Sequence, residues 1–317
     1  MQEKSIMFRN RLMKVFRHLK KQAKRVGVGC YRVYDHDLPE FPFLIELYED
    51  KIYIAEYKRH HGLSDEAHEK WLEESLEIVG DVIGIKKENI FLKLRQRKQG
   101  REGQYKKFSF DQHEFIVTEN KLKFIVNLSD YLDTGFFLDH RITREKVMAE
   151  AKDKKVLNLF CYTCSFSVYA AAGGASEVVS VDLSKTYLNW AEKNMKLNGF
   201  EDESKWRFVQ ADVLQYLKTI PKNYFDLVIL DPPTFSNSQR MENFLDVQRD
   251  HASMINDCLG GMKAGGILYF STNYSKFVLE KEKINASSVF DITKATTPFD
   301  FEGRLSRKCY RVIKENF

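Results

Sequence analysis

Five short apolar runs recur through the second half of the chain: KKVLNLF (154–160), EVVSVDL (177–183), WRFVQAD (206–212), FDLVILD (225–231) and GILYFST (266–272). Most neighbouring pairs are separated by a stretch of helical length. This rhythm restricts the fold more than any other feature. Consecutive strands joined by helix-length crossovers pair in parallel, and a parallel sheet needs helices on both faces. The expectation is an α/β, Rossmann-like domain with a seven-stranded, mostly parallel sheet. SSVFDITKA and KCYRVIKE, joined by a short link, add two strand candidates as an antiparallel hairpin at the C-terminal edge.

The first part of the chain has a different pattern. Leu12, Val15, Phe16, Leu19, Ala23 and Val26 recur at helical spacing, which predicts a helix over 8–25 with one apolar stripe. CYRVYDHDLPEFPFLIELYEDKIYIAEY reads as two or three strands broken by turns at Pro39 and Pro42. Residues 64–83 read as a helix capped by Ser64, and FLKLRQR, EFIVTEN and KFIVNLS read as strands. A small α+β domain over 1–133 therefore precedes a second domain over 134–317.

No run approaches the roughly 18 apolar residues of a membrane span, and the N-terminus MQEKSIMFRN has no signal-peptide core. Five cysteines in 317 residues make no disulfide framework, which points to a reducing cytoplasm. Net charge is only +5, but it is unevenly placed. Residues 1–25 carry nine Lys/Arg against Glu3 alone. Residues 93–107 carry Lys93, Arg95, Arg97, Lys98, Arg101, Lys106 and Lys107 against Glu102, with Tyr105 interleaved. One such cluster is commonly a solvated face; two in one domain suit a polyanion such as RNA.

Doubly wound sheets bind ligands at the carboxyl ends of their strands, so the residues at the strand ends are the candidates for chemistry. The first leads into Asn158, Phe160, Cys161, Tyr162, Thr163 and Cys164, and then into an Ala-rich helix closed by Gly173-Gly174. The free N–H groups of such a turn hold a carboxylate. The second ends at Asp182, followed by Leu183 and Ser184, and an acid there binds the two hydroxyls of a ribose. The third ends at Asp212 and Val213, placed for an adenine amino group, and the fourth at Asp231. Any one Asp after a strand is more often a cap; three after consecutive strands form a pattern. No Gly-x-Gly-x-x-Gly turn is present, which disfavours a nicotinamide dinucleotide. Cys161-x-x-Cys164 has no second ligand pair, and His60, His61 and His68 lie at no matching spacing, so no metal site is expected.

Asp231-Pro232-Pro233-Thr234-Phe235 is the most specific signal. Two prolines end a strand, remove two N–H donors and stiffen the turn. The carboxylate and carbonyls are then aimed at a flat ring on which Phe235 can stack.

With its flanks Ser236-Asn-Ser238, Arg240-Met241-Glu242 and Asp246-Val-Gln-Arg-Asp-His251, this segment closely resembles the guanine-N7 half of the bifunctional bacterial 23S rRNA methyltransferases, RlmKL. The likeness extends to Tyr131-Leu-Asp-Thr-Gly-Phe-Phe-Leu-Asp-His-Arg141, to Val181-Asp182-Leu-Ser-Lys-Thr-Tyr187, to the Arg11-Leu12 helix and to Cys30-Tyr-Arg-Val-Tyr-Asp35, so it covers nearly the whole chain. It implies a class I methyltransferase domain, S-adenosylmethionine as cofactor, and 7-methylguanosine as product. It also implies a stand-alone form, without the N2-guanine half and its RNA-binding THUMP domain. Two positions depart from the family pattern. Cys164 stands where the family usually has Gly, and Ser271-Thr272-Asn273-Tyr274 where it tends to have two asparagines.

The resemblance and the strand ends together name the candidate residues. Arg141, Asn158, Phe160, Tyr162, Thr163, Cys164, Asp182, Leu183, Ser184, Asp212, Val213 and Asp231 are expected at the cofactor. Asp231, Pro232, Pro233, Thr234, Phe235 and Asn273 are expected at the base. Lys93, Arg95, Arg97, Lys98 and Arg101 are expected on 23S rRNA or a large-subunit precursor, with no membrane and no obligate protein partner. Covalent cytosine-C5 methylation needs a cysteine after the fourth or fifth strand; those positions read DPPTF and STNYS. Methylation of an exocyclic amine (N2-guanine, N6-adenine) and a non-catalytic role in rRNA binding or ribosome assembly stay open.

Overall fold

The computed structural model describes residues 2–57, 64–95, 114–131, 133–236 and 244–315. The chain divides into two compact units. The first is Met1–Leu138 with Phe299–Arg304; the second is Asp139–Pro298 with Leu305–Phe317. The division thus falls between Leu138 and Asp139, against the 133/134 expected from the change in rhythm. Residues 134–136 pack with the first unit: Tyr48 and Thr134 share a hydroxyl hydrogen bond of 2.8 Å, and Phe136 stacks on Phe124.

In the first unit, α1 (Gln2–Val26) precedes β1 (Cys30–Asp35), β2 (Phe43–Tyr48) and β3 (Lys51–Tyr57). α2 (Asp65–Ile83) then crosses to β4 (Ile90–Arg95), and β5 (Glu114–Glu119) and β6 (Leu122–Asn127) form a separate hairpin. The sheet runs β1-β2-β3-β4, antiparallel until β4 joins β3 in parallel, as a helical crossover requires. Four residues of the predicted α1 stripe, Leu12, Phe16, Leu19 and Ala23, joined by Phe8, pack with Val33, Ile45 and Ile54; Val15 is half-buried beside them, and Val26, at the helix end, is exposed. Ser64 caps α2 by accepting from Ala67 N, and Gly84, at φ 82°, ends it in the left-handed conformation that glycine adopts without a Cβ clash.

The second unit runs α3 (Arg141–Glu150), β7 (Lys155–Leu159), α4 (Ser165–Ala172), β8 (Glu177–Asp182), α5 (Lys185–Leu197), β9 (Trp206–Gln210), α6 (Val213–Leu217) and β10 (Phe225–Leu230). A short pair, β11 (Phe235–Ser236) with β12 (Leu245–Asp246), leads into α7 (Val247–Gly261) and β13 (Met262–Thr272). β14 (Ser288–Asp291) and β15 (Lys308–Ile313) close the sheet, whose order is β14-β15-β13-β10-β7-β8-β9. All pairs from β13 to β9 are parallel, and the two at the β14 edge are antiparallel. β15 lies inside β14. The link between them spans 292–307 and carries a 3-10 turn at Lys294–Thr296, so it is longer than the short link expected.

α3 and α4 approach so closely that a Cβ on Gly173 would sit 2.1 Å from the carbonyl oxygen of Met148. α7 is capped by Asp246, which accepts from Gln248 N and Arg249 N. Its buried His251 donates Nδ1–H to the helix carbonyl of Gln248 at 2.8 Å and accepts Glu280 N on Nε2 at 3.1 Å, pinning the loop after β13.

Candidate active site

Strand order reverses between β7 and β10, so their carboxyl ends, with those of β8, β9 and β13, frame the crevice where a doubly wound sheet takes its ligand. The turn after β7 alternates in handedness: Phe160, Tyr162 and Cys164 have φ of 54°, 51° and 65°. Such alternation tilts successive N–H groups to one side and makes an anion-binding concavity. It leads directly into α4, whose N-cap, Cys164, makes no side-chain cap hydrogen bond. Those orphan N–H groups and the helix dipole suit a carboxylate. Cys164 thus holds a left-handed φ that glycine would adopt without a Cβ clash.

Asp182 closes β8. Its Oδ2 accepts Tyr162 N at 3.0 Å and its Oδ1 accepts Ser184 N at 2.8 Å, so it holds the β7 turn and the start of α5 together. Burial raises its pKa against these donors. Each oxygen retains a lone pair, which a ribose diol would use. Tyr162 lies edge-on to Tyr187 at 4.5 Å, and Ser184 caps α5 by accepting Tyr187 N. Asp212 caps α6 through one oxygen, which accepts Leu214 N at 2.9 Å. Its other oxygen has no protein partner among the described residues, so the cap and a ligand contact are compatible. These groups fit a donor that presents a carboxylate, a ribose and an adenine.

Two residues expected at this pocket have side chains engaged elsewhere. Asn158 is buried within the β7–α4 layer, donating to Ser167 Oγ at 2.9 Å, and Ser167 is bonded in turn to Ser180. Val213 is a core residue packed with the Leu217 and Leu230 cluster. In an all-apolar strand or a short helix, periodicity does not say which face is the lining. Thr163 is buried, with its carbonyl taken by Asn194 Nδ2, Arg141 is the buried first residue of α3, and Leu183 is half-buried.

The base-side residues centre on Asp231. Its Oδ1 accepts a hydrogen bond of 2.5 Å from Ser271 Oγ on β13, and its Oδ2 lies 3.3 Å from Nε2 of His140. Burial works against the carboxylate, but His140, Ser271 and the more distant Arg307 outweigh it, and its pKa is lowered. His140 is itself buried just before α3, and its Nδ1 has no hydrogen-bond partner among the described residues. The neighbouring Asp139 is clamped by the fully buried Arg307, which donates Nε to Oδ2 and a second N–H to the Asp139 carbonyl, both at 3.0 Å. Arg307 also donates to the Thr296 carbonyl, so the long link between β14 and β15 braces the turn that presents His140.

Pro232 is buried, while Pro233 and Thr234 are exposed. Phe235 is exposed beside a second exposed aromatic, Phe244, at 5.6 Å, with the Arg249 guanidinium over Phe244. Asn273 is exposed past the end of β13; the inward residue of that strand end is Ser271. His140, Ser271 and Phe244 were not foreseen. His140 lies within a stretch that resembled the family, but its meeting with Asp231 is a contact between remote segments. Of the flanking motif, Asn237, Ser238, Arg240, Met241 and Glu242 lie outside the described residues. So do His60, His61, Arg97, Lys98, Arg101, Tyr105, Lys106 and Lys107, and the side chain of Arg95. Lys93, expected as an RNA contact, is a correction: at 7% exposure its ammonium is buried on β4 and not offered to solvent.

Against known proteins, residues 89–303 match the family model described as S-adenosylmethionine-dependent methyltransferase. Ribosomal RNA large subunit methyltransferase K of Neisseria meningitidis is 47% identical over 307 residues, covering 96% of this chain and 86% of that protein. The chain belongs to this methyltransferase family. Its cofactor is S-adenosylmethionine, which the donor set described above fits. The methyltransferase K/L of Stutzerimonas stutzeri is 44% identical over 93% of this chain but only 40% of that protein, so the chain spans about two fifths of such relatives. In fold, it is similar to a methyltransferase, SMU.776, solved with SAH: TM-score 0.74 at 24% identity, covering 96% of this chain and 81% of that one. Among the described residues, no helix is long and apolar enough to cross a membrane.

Proposed function

We propose that the protein transfers a methyl group from S-adenosylmethionine to N7 of a guanine in 23S rRNA, acting in the cytoplasm on free rRNA or a large-subunit precursor. The RNA substrate class is carried by the relatives, whose names describe ribosomal RNA large subunit methyltransferases. The choice of atom is supported by the state of Asp231. Ser271 and His140 hold that carboxylate ionised, so it sets a negative charge where a cationic 7-methylguanine forms, a charge that methylation of an exocyclic amine does not leave on its product.

The donor supplies an electrophilic methyl group on a sulfonium. Guanine N7 brings its own lone pair, so the protein need not remove a proton before transfer. The work of the chain is alignment and electrostatics. The rigid Pro232-Pro233 turn and the Phe235–Phe244 pair hold the ring, and ionised Asp231 attracts the positive charge that arrives on the base. The cysteines argue against C5 chemistry: Cys258 and Cys309 are fully buried, and burial pushes both thiols up, away from the nucleophilic thiolate. Nucleoside mass spectrometry of 23S rRNA treated with the purified protein tests the reading. A singly methylated guanosine of fixed positive charge is expected. 5-Methylcytidine, N2-methylguanosine or N6-methyladenosine would overturn it.

A further inference from the structure

The basic helix α1 is not absorbed by the active site, which lies in the other unit. Its acids and bases are unevenly matched. Lys4 pairs with Glu40, Arg9 with Asp81 and Arg11 with Asp37. From Lys14 onward the pairing stops. Lys14, Arg17, Lys21 and Lys24 follow one another at three- and four-residue spacing, all exposed, with no acid partner among the described residues. Side chains so spaced are neighbours on a helix surface, and like charges there repel. The row runs for about 15 Å at the rise of an α-helix. Among the described residues of this unit no acid offsets that repulsion, and the opposite face of α1 supplies the core contacts.

The row ends at a groove. The C-terminal part of α1 and the β5–β6 turn enclose an open concavity of about 780 Å³. Lys20, Lys24 and Lys121 stand on its rim, and Ala23, Tyr31 and Leu47 form an apolar floor. Lys121 is held outward by two successive left-handed residues, Asn120 and Lys121, at φ 51° and 66°. The acid among the lining residues, Glu49, is tied to the Thr118 N–H at 2.7 Å rather than to a lysine. A cationic rim over an apolar floor matches a nucleic-acid strand, whose phosphates meet the rim and whose bases or sugars cover the floor.

We propose that this groove and the α1 row leading to it are the RNA-docking surface of the first unit. The occupant is a strand of the substrate RNA, and the proposal rests on the rRNA reading above. Docking here holds the RNA by its backbone and leaves base selection to the second unit.

The test compares the wild-type chain with the triple variant Lys20→Ala, Lys24→Ala, Lys121→Ala, using in-vitro transcribed 23S rRNA in filter binding at several salt concentrations. All three positions are exposed, so folding is retained, and calorimetric binding of SAH should be unchanged. Losing three phosphate contacts should lower the log–log salt slope by about 2 and weaken binding roughly 100-fold at 0.1 M salt. Methyl transfer should show a raised KM with kcat little changed. A control variant in the second unit, Lys218→Ala with Lys222→Ala, should bind as wild type. Wild-type affinity and slope in the triple variant overturn the proposal, as does tighter wild-type binding to phosphatidylserine vesicles than to the RNA. If the wild type binds rRNA through the groove but transfers no methyl group, the activity reading fails and the groove stands.

Discussion

Replacing Ser271 with Ala removes the 2.5 Å hydrogen bond to Asp231 Oδ1 and leaves every other contact of that carboxylate in place. Ser271 is 3% exposed and the Asp231 side chain 22%, so water repays only part of the loss. A hydrogen bond to a charged group contributes roughly 1.5–3 kcal/mol; about 2 kcal/mol is reasonable here. Its loss lets the Asp231 pKa rise, because burial is then opposed by fewer partners. The sign follows from the depressed carboxyl pKa in the folded wild type. Its stabilisation is fully present above the unfolded value and is lost as pH falls through the folded one. The variant should therefore be less stable at pH 7 by about 2 kcal/mol, lowering Tm by roughly 4–8 °C. The gap should close only in strong acid, where both proteins hold a protonated Asp231. In the pH dependence of methyl transfer, the acid limb should move to higher pH while the rate near pH 8 changes less than about tenfold. An unmoved acid limb with normal rRNA binding would refute the claim that Asp231 acts as an ionised group held by Ser271.

Three further outcomes are expected. Gly173→Ala drives a methyl group into the Met148 carbonyl and should cost about 2 kcal/mol or more, read as a lowered Tm, whereas Gly260→Ala, with open space around it, should cost much less. Cys164→Gly relieves a left-handed residue but empties a fully buried thiol, so stability should stay within about 1 kcal/mol; Cys164→Val should lose more and weaken SAH binding in calorimetry, because a β-branched residue resists that conformation. Phe235→Ala and Phe244→Ala should each weaken rRNA binding by about 1–3 kcal/mol, if both rings stack on bases, and leave SAH affinity unchanged.

The candidate site was legible to different depths. The apolar runs located the carboxyl ends of β7 to β10, and through them Asp182, Asp212 and Asp231, because a parallel strand buried on both faces is written as a continuous apolar stretch. Within those runs, sequence did not separate a lining residue from an interior one. Asn158 looked like a pocket residue and is an interior link to Ser167. Lys93 looked like part of an exposed basic hairpin and is buried. Asp212 showed both characters at once, a cap that keeps an oxygen available.

By itself the sequence determined the class of fold, the strand ends that frame the crevice and the rigid Asp231-Pro232-Pro233 turn, since each depends on neighbours in the chain: crossover length, apolar runs and the lost N–H groups of two prolines. The tertiary structure alone decided what surrounds Asp231. His140 arrives from before α3, Ser271 from the end of β13, and Arg307 from β15's approach to brace Asp139. These groups are far apart in sequence and meet only because the strand order β15-β13-β10-β7 brings their segments to one edge of the crevice. The charge state of the carboxylate, on which the proposed chemistry depends, is a property of that meeting and not of the motif that contains it.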